Sequence, residues 1–199
     1  TMNMAREALD SVDARITTWS EGGAGGDSSH PANTCSGEKF YPATQANASK
    51  LSDRIALFND AIRDGIKGGC MSISNQGFVQ GAKTSAPDIR YGVRANSSGR
   101  NKWLASAPSQ CVSYAACHDN ATFYDQILGS TGLAPYGERE STAVKMNKLG
   151  GAIVFSSQGI SFMLAGEEMC RSKDGDTNSY KSPAKLNMLK WQNAVDYAD

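Results

Sequence analysis

The sequence of 199 residues predicts an α/β fold with a parallel sheet, and two observations carry this prediction. Helical and strand-like patterns follow one another in the order helix, strand, long loop, helix, strand, helix, strand, helix, which is typical of βα units. Three strand-like runs end in an acidic residue or pair before a loop, as strands do around the site of a (β/α)8 TIM barrel. We therefore expect a barrel-type chain whose site lies at the carboxyl ends of its strands.

The first elements are an amphipathic helix, a strand and a long loop. The helix is predicted from apolar residues at spacings of three and four, namely Met2, Ala5, Leu9 and Val12. β-branched and aromatic residues then predict a short strand from Arg15 to Glu21, because such side chains pack well on a pleated surface. Residues 22–36 are rich in Gly, Ser and Pro and form a loop of a length that is often functional or disordered.

The next segment has two interpretations. A helical spacing predicts a helix that ends at Gly68, because glycine tolerates the positive φ of a helix terminus; the spaced residues are Ile55, Phe58, Ile62 and Ile66. Residues 55–58 fit a brief buried strand equally well. Between residues 69 and 110 we place only turns near Pro87 and Pro108.

The remaining elements alternate again. Residues 111–117 predict a strand that ends at His118, Asp119 and Asn120, and residues 121–128 predict a helix. Residues 142–155 predict a helix with one apolar face, formed by Ala143, Met146, Leu149 and Ile153. Residues 160–165 predict a strand that ends at an acidic pair, and residues 186–195 begin a final helix.

Composition and cysteine usage limit the classes of partner. Lys and Arg together number 20 and so do Asp and Glu, so bulk charge gives no support to nucleic-acid binding. The longest apolar stretch, residues 150–166, contains three serines and a glutamine and falls short of the ~20 apolar residues of a membrane span. Five cysteines without a CxxC pair indicate neither a disulfide framework nor a zinc ribbon, and leave at least one thiol unpaired within the chain.

Carboxylates at strand ends suit acid/base chemistry on glycosidic bonds. One carboxyl group must protonate the leaving oxygen and another must stabilise a transition state resembling an oxocarbenium ion. Glu21 and Asp119 are the candidates for these roles. Each is equally a residue type of solvated loops, so spacing alone does not carry the assignment.

Longer motifs strengthen this hypothesis. The segment 166–191 contains N-S-Y-x-S-P-x-x-x-N-x-L-x-W and resembles the segment after the eighth barrel strand of type I pullulanases, the debranching members of the α-amylase superfamily. The run V-S-Y-A-A-C-H-D-N-A-T-F-Y-D at residues 112–125 is similar to the seventh-strand motif of that family. F-N-D-A-I-R-D-G-I-K-G at residues 58–68 and S-E-G-G-A-G-G-D at residues 20–27 are also similar to it. The resemblance covers nearly the whole chain.

The resemblance implies roles for individual residues. Glu21 would be the general acid/base at the end of the fifth strand, with burial near Trp19 helping it to hold its proton. Asp119 would stay ionised and stabilise the transition state at the end of the seventh strand. His118 would hydrogen-bond the sugar in the cleaved subsite. The other substrate-contact candidates are Trp19, Asn120, Asn178 and Tyr180.

Two departures from the family pattern affect the expected activity. The family usually has G-E-G-W around the acid, where this chain has S-E-G-G, so an aromatic platform is missing or is replaced by Trp19. The nucleophilic Asp of the family closes the fourth strand, and no residue of this sequence stands in for it. We expect residues 1–199 to form one partial catalytic domain, from the fourth helix to the start of the eighth, that is poorly stable and inactive alone.

The predicted partner is an α-glucan polysaccharide or oligosaccharide with α-1,6 links, as in pullulan, amylopectin or glycogen-derived dextrins. Two alternatives are another glucan hydrolase of the α-amylase superfamily and a non-catalytic carbohydrate-binding relative. The chemistry requires no cofactor, and a structural calcium ion in a longer parent enzyme has no assignable ligands here. Asp174, Asp176 and Asn178 alternate as in a calcium loop, but Ser179 replaces the expected glycine, which favours a surface turn.

Overall fold

The structure is a computed structural model that describes residues 1–23, 34–35, 38–39, 41–95, 105–135 and 141–197, with the backbone alone for 34–35 and 38–39. The strands are β1 (Thr18–Ser20), β2 (Thr34–Cys35), β3 (Glu38–Lys39), β4 (Ile55–Phe58), β5 (Cys111–Ser113) and β6 (Ile160–Ser161). The helices are α1 (Met2–Val12), α2 (Asp60–Lys67), α3 (Ala86–Gly92), α4 (Phe123–Thr131), α5 (Thr142–Phe155), α6 (Ala184–Asn187) and α7 (Gln192–Asp196).

Four strands form a parallel sheet in the order β1-β4-β5-β6. Every neighbouring pair is parallel, with Trp19 opposite Ala56 and Val112 opposite both Phe58 and Ile160. Helices α2 and α3 lie between β4 and β5 along the chain, and α4 and α5 lie between β5 and β6. This succession of parallel strands and helices confirms the predicted α/β fold and fits part of a (β/α)8 barrel.

The larger hydrophobic core forms where α2, α4 and α5 pack together. Its fully buried side chains include Ile62 and Ile66 from α2, Phe123 and Ile127 from α4, and Val154 from α5. A smaller cluster lies around the sheet and contains Leu57 of β4 and Cys111 of β5. The central strands β4 and β5 are themselves buried, with Ile55, Leu57 and Val112 at 1% exposure or less, which is typical of parallel sheets.

Residues 55–58 form strand β4, so of the two interpretations of this segment the strand is confirmed and the helix is wrong there. Helix α2 begins after Asn59, whose side-chain oxygen accepts a 3.2 Å hydrogen bond from the backbone N–H of Ile62. This cap fixes the start of the helix. The helix ends before Gly68, where φ is +92°, as the sequence predicts.

Several element bounds differ from the prediction. The first strand covers only Thr18–Ser20 and the last only Ile160–Ser161. Helix α3 is absent from the prediction, which places a turn near Pro87; proline also fits the first turn of a helix, and Pro87 lies there in α3. The single final helix is wrong, since α6 and α7 are separate short helices. Residues 24–33 and 36 of the predicted loop 22–36 lie outside the described residues. Strand β2 falls within this predicted loop.

The buried faces of two helices also differ from the prediction. In α1 the only buried residue is Arg6, while Val12 is 78% exposed. Arg6 donates hydrogen bonds to the Ile16 carbonyl at 2.6 Å and to Oγ1 of Thr18 at 2.7 Å. In α5 the exposed Leu149 is wrongly placed by the prediction; the buried residues are Ala143, Val144, Asn147, Gly150 and Val154.

Among the cysteines with described side chains, Cys70, Cys111, Cys117 and Cys170 are all free thiols. None of the helices in the described part of the chain is both long enough and apolar enough to cross a membrane.

Candidate active site

Glu21 follows the end of β1 and is held there by a glycine turn. Gly22 has a φ of +67°, and a Cβ at this position would lie 3.0 Å from Cβ of Leu57 on β4, so only glycine fits without strain. The Gly22 carbonyl accepts a 3.1 Å hydrogen bond from the backbone N–H of Gln45. The side chain of Glu21 itself is exposed.

The second group of predicted residues follows β5. Residues 114–116 are buried, and the chain then enters an exposed turn that contains His118 and Asp119. Asn120 has a φ of +62°, a left-handed conformation that asparagine tolerates better than most residues. Nε2 of His118 lies 3.5 Å from Oδ1 of Asp119. The turn therefore presents an imidazole and a carboxylate side by side.

The two strand ends bring their polar side chains together. One ligand-type atom each from Glu21, His118 and Asp119 lies within 4.8 Å of the other two. All three residues line one cavity of about 160 Å³, which Asn120 also lines. β4 separates β1 from β5 in the sheet, so these side chains meet at the carboxyl end of the sheet.

Three further side chains on this cavity form a closed set of hydrogen bonds. Tyr114 donates to Oδ1 of Asp60 at 2.7 Å. Arg63 donates through Nη1 to the same Asp60 oxygen at 2.9 Å and to the Tyr114 hydroxyl at 2.9 Å. Its Nε donates to Asp64 at 2.7 Å. The guanidinium group is thereby fixed against the cavity wall.

Burial controls the protonation of Tyr114. Loss of solvent raises the pKa of its phenol, although the neighbouring Arg63 charge opposes this shift. The ring packs edge-on against Phe58, with centroids 4.8 Å apart. Tyr114 is therefore a fixed, protonated hydrogen-bond donor beside the exposed acidic groups.

Sequence and structure comparisons both relate this chain to pullulanases. It is 36% identical to the pullulanase of Bacillus subtilis (strain 168) over 154 residues, which are 75% of this chain and 20% of that relative. The crystal structure of the pullulanase from Paenibacillus barengoltzii, in complex with maltohexaose and alpha-cyclodextrin, has a TM-score of 0.81 and 36% identity. That match covers 98% of this chain and 29% of that chain. This chain is of the pullulanase type.

A second solved structure gives the same result. The pullulanase from Bacillus acidopullulyticus has a TM-score of 0.82 and 31% identity, covering 98% of this chain and 22% of that chain. No protein-family model matches the chain. The pullulanase-type chain spans about a fifth of the length of the Bacillus subtilis relative. The resemblance and the partial-barrel fold predicted from sequence are thereby confirmed.

Three predicted substrate contacts do not line the cavity of this pullulanase-type chain. Trp19, Asn178 and Tyr180 are all exposed and lie outside its wall. The expected burial of Glu21 near Trp19 is wrong, because both side chains are exposed. Gly23 does line the cavity, and a Cβ there would have no neighbour within 4 Å. The wall is open where the pullulanase motif usually has tryptophan.

Sequence reasoning missed Asp60, Arg63 and Tyr114 as site residues. Asp60 and Arg63 stand in the motif at residues 58–68, and Tyr114 stands in the motif at residues 112–125. Asp60 also follows β4 closely, after Asn59, which is the N-cap residue of α2. Active-site residues of barrel enzymes lie at such carboxyl ends of strands. That rule could have found Asp60, but no sequence signal indicates its bonds to the other two residues.

Two groups of predicted residues contain side chains of the kind that metals bind. The group formed by Glu21, His118 and Asp119 is compact enough for an ion, but all three side chains are exposed. In the loop around Asp176, one carboxylate oxygen accepts from the Asn178 backbone at 2.8 Å and the other from the Ser182 hydroxyl at 2.6 Å. The second loop therefore uses Asp176 to close a turn.

Proposed function

We propose that this chain supplies the general acid/base and the transition-state-stabilising carboxylate of a retaining glycoside hydrolase of pullulanase type. The proposed reaction is cleavage of α-1,6-glucosidic links in pullulan, amylopectin or glycogen-derived dextrins. The observation that supports it most is the convergence of Glu21, His118 and Asp119 within 4.8 Å on one cavity. The glucan-bound pullulanase from Paenibacillus barengoltzii, which shares this fold, supports an α-glucan as the partner.

Each side chain has one role in the proposed reaction. Glu21 donates a proton to the glycosidic oxygen as the bond breaks and later accepts one from water. Asp119 remains ionised and opposes the positive charge that develops at the anomeric carbon. His118 donates a hydrogen bond to the same sugar ring. Their exposure leaves the cavity accessible to a bulky, branched glucan.

The nucleophile of a retaining mechanism must come from elsewhere in the barrel. Such a group lies about 5 Å from the acid. Apart from the two assigned carboxylates, the only one among the cavity residues described is Asp60. Its Oδ1 already accepts hydrogen bonds from Tyr114 and Arg63, which makes it a poor nucleophile. We therefore propose that the 199-residue chain alone binds glucan but does not hydrolyse it.

A non-catalytic glucan-binding protein is the second candidate. The observation that favours it is the open wall at Gly23, where the aromatic platform of the family motif is missing. Such a protein would use the same cavity and would lack turnover even in a complete barrel. A hydrolase of the same superfamily with a different linkage preference would instead cleave amylose in preference to pullulan.

A chimera tests these candidates. We would replace the matching segment of the Bacillus subtilis pullulanase with this chain and measure release of reducing sugar from pullulan and from amylose. We expect hydrolysis of pullulan, and a loss of at least about 100-fold in kcat for Glu21→Gln and for Asp119→Asn. Glu7→Gln, an exposed charge change on α1, is the matched control and should leave kcat unchanged.

Three outcomes would contradict the leading proposal. Full activity of the Glu21→Gln chimera would remove the acid/base role. A folded chimera that binds maltohexaose without turnover would favour the binding protein. Preferential cleavage of amylose would favour the different linkage preference.

A further inference from the structure

The turn that carries His118 and Asp119 is held by few backbone contacts. Among the described residues, no backbone N–H or carbonyl of residues 115–121 takes part in a hydrogen bond to another backbone group. Within the turn, Sγ of Cys117 lies 4.0 Å from the Asp119 carbonyl, which is a weak contact. The position of the two site residues therefore depends on side chains that reach the turn from outside.

One buried side chain reaches this turn from helix α2. Lys67 is the last residue of α2 and is 1% exposed. Its Nζ donates a 3.2 Å hydrogen bond to the carbonyl of Ala121, which follows Asp119 by two residues. Ala121 is also 1% exposed, and Lys67 does not line the cavity of the candidate site. The ammonium group therefore meets the turn from inside the protein.

The structure on both sides of this hydrogen bond is itself fixed. The Lys67 backbone carbonyl accepts a 2.8 Å hydrogen bond from Nε2 of Gln80, and α2 ends at the next residue, Gly68. On the other side, the hydroxyl of Thr122 caps α4 by accepting a 3.1 Å hydrogen bond from the backbone N–H of Asp125. Both helices contribute side chains to the larger core. Lys67 thus connects the turn to the packed helices behind it.

A buried lysine is a costly way to bind one carbonyl, which argues for a specific role. An ammonium group in a protein interior is unfavourable unless its charge is compensated. Burial lowers the pKa of Lys67 and the charge of Arg63 adds to this shift, whereas the buried Glu167 opposes it. Burial raises the pKa of Glu167, and the charge of Lys67 opposes that shift in turn. Each of these two groups therefore favours the charged form of the other.

We propose that Lys67 is a positioning residue of the glycoside hydrolase site, which holds the turn of His118 and Asp119 through the Ala121 carbonyl. This inference rests on the proposed function, which gives the turn its role in the reaction. Lys67 does not touch the substrate; it fixes the point from which Asp119 opposes charge at the anomeric carbon. A displacement of about 1 Å at a catalytic group can lower a rate about 100-fold. The hydrogen bond to Ala121 therefore supports turnover.

Nuclear magnetic resonance relaxation of the 199-residue chain tests whether Lys67 holds the turn. Lys67→Met keeps a long, unbranched side chain and removes the ammonium group. We expect the backbone order parameters of residues 117–121 to fall from about 0.85 to below about 0.6, with those of α5 unchanged. Lys83→Met removes an exposed ammonium group and is the matched control, in which both sets of values should stay unchanged.

A double variant separates positioning from charge balance. Lys67→Met also leaves the buried Glu167 without this nearby cation, which by itself destabilises the fold. Lys67→Met combined with Glu167→Gln removes both charges, and circular dichroism establishes that each variant is folded. If Lys67 only balanced Glu167, the double variant would restore the order of the turn. We expect the turn to stay loose, because the Ala121 carbonyl still lacks its donor.

Kinetics of the chimera with the Bacillus subtilis pullulanase test the consequence for catalysis. Lys67→Met should lower kcat on pullulan at least about 10-fold and change KM less than about 3-fold, because Asp119 acts mainly in the transition state. In the Asp119→Asn chimera the same substitution should lower kcat by less than about 2-fold, because its effect passes through Asp119. A general loss of stability would not depend on Asp119 in this way. Lys83→Met should leave kcat and KM unchanged.

Several results would overturn the proposal. The order parameters of the turn would be unchanged in folded Lys67→Met, or restored in the double variant. Unchanged kcat in the Lys67→Met chimera, or a loss of equal size in the Asp119→Asn chimera, would overturn it as well. A parent chimera without hydrolysis would refute the proposed function instead, and the relaxation measurement would still decide whether Lys67 holds the turn.

Discussion

Two adjacent glycines of α5 should respond in opposite directions to the same substitution. Gly150 is buried, and a Cβ there would lie 2.2 Å from both Cε1 and Cζ of Phe123 in the core. The nearest atom to a Cβ at Gly151 is Cε of Met163 at 3.8 Å, an ordinary contact. Gly150→Ala should therefore destabilise the protein, and Gly151→Ala should stabilise it.

The expected magnitudes follow from these distances. Alanine is favoured over glycine inside a helix by about 1 kcal/mol, which is the gain for Gly151→Ala. Gly150→Ala has the same gain, but it must displace the fully buried Phe123 ring, and Cγ2 of Ile66 would also lie only 3.3 Å from the new Cβ. Overpacking of a core costs about 1–3 kcal/mol. A contact of 2.2 Å belongs at the upper end of that range. The two variants should differ by about 2–3 kcal/mol in the free energy of unfolding.

Urea unfolding followed by circular dichroism measures this difference. Both substitutions restrict the unfolded chain equally, so that effect cancels when the variants are compared with each other. With a typical slope of about 2 kcal/mol per molar urea, the midpoints should lie about 1 M or more apart, with the wild type between them. The reasoning would be refuted if Gly150→Ala were as stable as the wild type, or if both midpoints moved together.

Two further predictions concern buried polar groups. Tyr114→Phe removes the hydroxyl that bridges Asp60 and Arg63 and should lower the free energy of unfolding by about 1.5–3 kcal/mol. The control is Tyr180→Phe at an exposed position, which should change the free energy of unfolding by under about 0.5 kcal/mol. Equal effects of the two substitutions would contradict this account. Burial raises the pKa of Cys111 from 9.0 to about 11, which lowers its thiolate fraction at pH 8 by about 100-fold. Iodoacetamide at pH 8 should therefore modify the half-buried Cys70 well before Cys111, as peptide mass mapping would report.

Much of the fold could be predicted from sequence because its signals are local. The helix Thr142–Phe155 has the predicted bounds, and the N-cap at Ser141, whose hydroxyl accepts from Val144, explains its start. The buried face of this helix was predicted less well, because apolar spacing favoured Leu149 over Asn147. Asn147 is buried through a hydrogen bond to Glu167, twenty residues away. A pattern of apolar residues holds no information about such a bond.

The candidate site likewise combines features that local sequence signals predict with features that depend on three-dimensional contacts. Glu21 and Asp119 could be named from sequence because each follows a strand, and strand ends meet at one edge of a parallel sheet. Trp19 was expected to shield Glu21 because the two are close in sequence. Residues two apart in a strand face the same side, so Trp19 and Glu21 would share a face if β1 continued. β1 ends at Ser20, however, and both side chains are exposed. Closeness along the chain is thus a weak guide to burial.

Helix α1 shows how a correct pattern can lead to a wrong core. Its apolar spacing predicts a helix, and the helix is present over Met2–Val12. Little of the apolar stripe of α1 is buried against other described residues. Ala5 and Val12 are exposed, and the one buried side chain of the helix is Arg6. An amphipathic pattern specifies a face that needs apolar contact, but it does not name the partner. The bonds from Arg6 to Ile16 and Thr18 hold α1 against β1 by polar contacts instead.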